Sequence, residues 1–197
     1  MYNLTKSNFE KLILLGLSLI LFIGAFAQTK YSSKTLSLVV SGTSTLHDWD
    51  MKSSAGTFEA NFTLNAAGAI TAVSGLSFST KSESLKSGHE AMDKNAYKAL
   101  KSDKNPNITF VSNTATITNL DATDFTVKST GKLTIAGATL DVEIVATCKV
   151  NADKSITIMG SKKISMKEFS MAPPTFMMGT IKTGNDVTLK FDLKLNK

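Results

Sequence analysis

There is no arginine in this chain. All 22 basic side chains are lysines, set against 16 acids, for a formal net charge of +6. Arginine is the side chain that reads base edges and phosphates bidentately, so specific nucleic-acid recognition is not expected. A solvated lysine-rich surface accounts for the charge, and it also suits transient contact with an anionic membrane surface. Cysteine is almost absent. Cys148 stands alone, so no intramolecular disulfide can form and stability must come from sheet pairing and apolar burial.

Histidine is scarce as well, with only His47 and His89. An ordinary metal site needs three or four convergent ligands. In an extended segment the side chains of His47 and Asp48 diverge. His89, Glu90 and Asp93 lie within one helical turn, but they lack the second histidine of the zinc-protease pattern. There is no G-x-S-x-G elbow and no phosphate-cradling glycine-rich loop. The sequence therefore points away from an enzyme, and no catalytic residue, metal or other cofactor is assigned. The one base pair that chemistry would have to use is His47 with Asp48.

Only one long apolar run is present, Leu12 to Phe26, and it follows Lys6 and Lys11. It ends in Ala25-Phe26-Ala27, a small-x-small pattern that suits a signal peptidase. The run is shorter than the ~20 residues that span a bilayer comfortably. Residues 1–27 are thus expected to be a cleavable signal peptide, cut after Ala27, with an uncleaved anchor as the alternative. Residues 28–197 are then one exported, periplasmic domain.

What is abundant is alternation. Phe58, Ala60, Phe62 and Leu64 share one face of a strand, as do Leu140, Val142, Ile144, Ala146, Cys148 and Val150. Val187, Leu189, Phe191, Leu193 and Leu195 do the same near the end. Weaker strands are expected over 34–41, 70–80, 107–118, 124–134 and 155–165. Short links such as 65–68, 136–137, 151–153 and 183–186 imply antiparallel neighbours. About eight strands in up-and-down order can remove their edges by closing into a barrel. One helix breaks the rhythm, expected over 88–102, with Ser87 and Glu90 as a capping box and Asn105-Pro106 as its stop.

Two strings stand apart. Gly42-Thr43-Ser44-Thr45-Leu46-His47-Asp48-Trp49 holds the only tryptophan, which is expected to fill one end of the barrel with its indole N–H paired nearby. The alternative has Trp49 closing over an apolar ligand, with His47 or Asp48 on a polar head group. Residues 169–179 combine two prolines, two phenylalanines and three methionines, so they are no central strand. They either plug the barrel or border an apolar cavity.

The chain resembles the YceI-like family of exported lipocalin-like domains. Four stretches carry the resemblance: Gly42 to Trp49; Lys81 to Leu85 with Met92 to Lys101 and Pro106 to Phe110; Gly131 to Gly137; and Lys167 to Met171 with Asp186 to Leu193. The resemblance implies an all-β, eight-stranded antiparallel barrel, with one helix beside it, around a long apolar tunnel. It also implies binding of a polyisoprenoid or quinone-like lipid for carriage, storage or sensing. The expected tunnel lining is Trp49, Phe58, Phe62, Phe78, Phe110, Phe125, Phe169, Met171, Phe176 and Met178. His47 and Asp48 are the expected head-group contacts. A homodimer is compatible with this reading. The competing reading is a filled barrel, a structural or partner-binding module without lipid.

Overall fold

The computed structural model describes residues 28–121 and 123–197, and the expected signal peptide lies outside them. Eight long strands run antiparallel in sequence order: β1 (Gln28–Ser44), β2 (Trp49–Leu64), β3 (Ile70–Lys81), β4 (Asn107–Asn119), β5 (Asp124–Ile135), β6 (Ala138–Val150), β7 (Ile156–Ser165) and, after the two-residue β8 (Thr175–Phe176), β9 (Ile181–Leu195). β9 pairs with both β7 and β1, so the sheet closes on itself. The fold is the eight-stranded antiparallel barrel, and closure leaves β6 without a strand partner on its β7 side only from Ala138 to Val145.

The strands divide into two kinds. In β5, Phe125, Val127, Ser129, Leu133 and Ile135 are all buried on a single odd-numbered phase. β6, β7 and β9 hold one phase in the same way. In the first four strands the phase flips part-way. Tyr31 is buried low in β1, whereas Leu36 and Leu38 are buried above it. Met51 and Ser53 give way to Phe58, Ala60 and Phe62 in β2. The register slips between Ser33 and Leu38 on β1, opposite Ser53–Phe58 of β2. Each extra residue is a bulge that bends the strand and restores inward pointing.

Strands β1 and β2 are therefore longer than alternation suggested, reaching Gln28 and Trp49. The bulge in β3 falls at Gly75, whose φ of +59° is the left-handed conformation that glycine holds without strain.

The helix, α1 (Glu90–Leu100), is shorter than expected because its caps differ from the expected ones. His89 is the N-cap residue. Ser87 does not cap the first turn; instead the Asp93 carboxylate accepts from the Ser87 N–H at 2.8 Å and hydroxyl at 2.7 Å. Lys101, in the left-handed conformation, ends the helix before Asn105-Pro106, and the Ser102 N–H donates to the Tyr97 carbonyl at 3.0 Å. The Tyr97 hydroxyl donates to the Leu85 carbonyl at 2.8 Å, and Lys101 Nζ donates to the Ser170 carbonyl at 3.0 Å. These bonds hold the helix across one end of the barrel.

Candidate functional site

The inward side chains leave space between them. A cavity of about 620 Å³ runs down the barrel, walled almost entirely by carbon. Its base is closed by Tyr31, Ile70, Phe125, Ile156 and Leu195, all at most 2% exposed. Tyr31 and Phe62 pack edge to face with ring centroids 5.4 Å apart. Its mouth lies among the β1–β2 hairpin, the start of α1 and the segment before β9. Leu46, His47, His89, Ala91 and Met177 are exposed there and also line the cavity.

The Gly42–Trp49 string builds part of this mouth. Ser44 closes the hairpin: its N–H and hydroxyl donate to the His47 carbonyl, and its oxygen accepts from the N–H groups of Leu46 and His47. The indole of Trp49 lies over Gly42, where any Cβ would overlap the ring, and its N–H donates to the Thr43 carbonyl at 3.0 Å. Thr45 ties the hairpin to β9 through a bond from its N–H to the Lys182 carbonyl, at 3.0 Å. Trp49 is thus a half-buried flap over the upper cavity, with its polar atom satisfied locally.

His47 Nδ1 lies 2.6 Å from the Asp48 carbonyl oxygen. A carbonyl only accepts, so Nδ1 carries a proton and Nε2 is the free end. The imidazole is oriented by the main chain of Asp48 rather than by its carboxylate. Among the described residues no group of three or more His, Cys, Asp or Glu could hold a metal. Cys148 is part of the lower wall, and burial pushes its thiol up to about 12, so it remains a neutral apolar surface.

The structure places Trp49, Phe58, Phe62, Phe78, Phe110, Met171 and Phe176 in the cavity wall, along with His47. Four expected residues fall outside it. Phe125 is inward-facing but sits in the packed base below the cavity. Phe169 is buried in the 3-10 turn Lys167–Phe169, which packs against β6 and β7. Met178 is fully exposed, because left-handed backbone at Met177 and Met178 turns it out to solvent. Asp48 is exposed in the β1–β2 turn and lies outside the wall.

Several wall residues were missed by the sequence reading. Leu36, Leu38 and Met51 lie beyond bulges that hide their phase. Met92, Ala96 and Leu100 come from α1, whose helical spacing was visible. Lys162 faces inward on β7 between Ile158 and Ile164. The even-numbered phase of β7 contained that signal, but Lys162-Lys163 reads as a solvated pair.

A family model described as YceI-like domain matches residues 27–195. The chain belongs to the YceI-like family. Among solved structures it is similar to Burkholderia cenocepacia BcnA, at 18% identity and a TM-score of 0.61, covering 82% of this chain and 96% of that one. A polyisoprenoid binding domain from Saccharophagus degradans, described as implicated in plant cell wall breakdown, matches at 12% identity and a TM-score of 0.59, covering 86% and 99%. The Campylobacter jejuni YCEI protein matches at 21% identity and a TM-score of 0.51, covering 71% and 81%. At these identities the likeness is one of fold. No curated protein matches the chain.

Proposed function

We propose that this YceI-like chain is an exported, periplasmic, non-catalytic binding protein that holds a long apolar lipid in its barrel. The lipid is of polyisoprenoid or quinone-like type, and the role is carriage, storage or sensing. The observation that carries the reading is the cavity itself, about 620 Å³ of carbon-lined space with one wet end. A filled-barrel module needs that space occupied by side chains, so the cavity favours a ligand over that alternative. The volume lies within the usual range for ligand pockets, and a methylene takes about the ~30 Å³ of a liquid water, so a chain of roughly twenty carbons fits. Each buried methylene contributes about 0.8 kcal/mol, opposed by the ordering of chain and partner. Membership of the family and the fold shared with a polyisoprenoid binding domain support the same assignment.

The test is to fill the cavity. Ala146 is 9% exposed, faces inward in mid-barrel and lines the wall. Ala146→Trp should abolish binding of geranylgeraniol, followed by Trp49 fluorescence in the parent and by equilibrium dialysis in both, while the far-ultraviolet spectrum stays that of a β-barrel. Unchanged binding by the folded variant would place the lipid elsewhere.

A further inference from the structure

The basic groups of the cavity wall have no acidic counterpart. Its ionisable members, the buried thiol aside, are His47, His89 and Lys162, and no aspartate or glutamate lines it. Lys162 is the unusual one, because it is not at the rim. Strand pairing puts it in one row with Leu189, Val40 and Met51. The row above it is Ile164, Val187, Gly42 and Trp49, so Lys162 lies one inward layer beneath the tryptophan flap.

An inward lysine in such a wall demands an explanation. Its ammonium makes no ion pair or hydrogen bond with any other described residue. The nearby acids are committed elsewhere or face out: Glu143 pairs with Lys128, Asp141 with Lys132 and Asp186 with Lys163, while Asp192 is on the outward phase of β9. Packing alone would be met by a methionine of similar length, so a lysine at this half-buried inward position adds a charge that the wall itself does not use.

The wall beside Lys162 is also where strand pairing ends. Pairing between β6 and β7 stops at Ala146 and Gly160, although β6 continues against β5 to Ala138 and β7 against β9 to Ser165. Beyond that point the two strands part, and Ile144 and Lys162 line the cavity on the two sides of the seam. Leu140, Val142 and Ile144 are only half-buried there. The turn Lys167–Phe169, with Phe169 buried, packs against both strands there, so Lys162 faces the cavity rather than an open slot.

We propose that Lys162 anchors an acidic head group, so that the lipid bound by this barrel is an anionic amphiphile, a carboxylate or a phosphate ester, rather than a neutral one. The head sits against Lys162 in the upper cavity and the tail runs down past Phe191, Ile158 and Ala146 towards the closed base. No acid lines the mouth to compete with the head group for Lys162. This inference rests on the lipid-binding reading and specifies its ligand.

The test compares three lipids with the same tail: geranylgeranoic acid, geranylgeranyl phosphate and geranylgeraniol. Each is titrated into the mature protein, Lys162→Met and Lys162→Arg by isothermal calorimetry. The parent should bind at least one of the acids more tightly than the alcohol, and the better acid identifies the head group as carboxylate or phosphate. In Lys162→Met the preference for that acid over the alcohol should fall roughly ten- to a hundredfold, the value of a charge-assisted hydrogen bond. Lys162→Arg should keep the preference, which separates charge from packing. Equal binding of acids and alcohol by the parent, or a preference that survives in Lys162→Met, would overturn the assignment of Lys162 while leaving the lipid-binding reading intact. If none of the three lipids binds the parent, the lipid-binding reading fails and this inference with it.

Discussion

Gly42 has no side chain because the indole of Trp49 occupies that space. The contact, the indole bond to Thr43 and the hairpin turn at Ser44 explain why those residue types occur together. Gly42→Val should therefore displace the flap and cost about 1–3 kcal/mol of stability, measured by urea unfolding, with a red-shifted Trp49 emission. An unchanged emission maximum would contradict the stacking. Met178 gives the opposite expectation: fully exposed and outside the cavity, it should accept Met178→Ser within about 0.5 kcal/mol and without loss of lipid binding.

Asp93 provides the pH dependence at this scale. Burial, the largest single influence, would raise its carboxyl, but the two bonds from Ser87 together with the nearby Lys86 and His89 hold it below the ordinary range. A depressed folded value contributes stability above the unfolded value of about 3.9, lost as pH falls through the folded one. The urea midpoint should thus decline below about pH 4, and less steeply in Asp93→Asn, which can accept the same bonds but does not titrate. Equal slopes would remove Asp93 from the acid response.

At the scale of the element, bulges decide what could be read. Strands β5, β6, β7 and β9 keep one phase throughout; the alternation was plain over 140–150 and 187–195 and weaker over 124–134 and 155–165. The first four strands flip phase, which breaks the alternation over 49–57 and hides Leu36, Leu38 and Met51 from the cavity list. Gly75 should be sensitive for this reason. Gly75→Ala forces a side chain into left-handed backbone beside Asn61 and should cost about 1–2 kcal/mol in chemical unfolding. A neutral substitution would mean that the bulge is not held in that conformation. Phe169 shows a second limit: an apolar residue in a loop can fill a seam or line a cavity, and sequence does not distinguish them. The structure packs it against β6 and β7, where Phe169→Ala should cost about 3–5 kcal/mol.

For the whole molecule, the barrel topology was legible because short turns and apolar alternation leave few other closed arrangements. The cavity was not, since a filled core and a tunnel both require inward apolar residues and differ only in summed volume. Phe125 illustrates the point: its inward direction was evident, but only the closed base shows that it packs below the cavity. Lys162 shows the converse, a polar residue on the inward phase that the adjacent Lys163 disguised. Ligand binding to the folded barrel alone should raise the unfolding free energy with lipid concentration, by about 2.7 kcal/mol at a free lipid concentration a hundredfold above Kd.

The most direct measurement is native mass spectrometry of the mature protein purified from the cells that make it, followed by organic extraction. The account predicts a stoichiometric mass excess that extracts as one long-chain lipid, isoprenoid or quinone-like in its tail. A bare mass, with no uptake when such lipids are added, would contradict it.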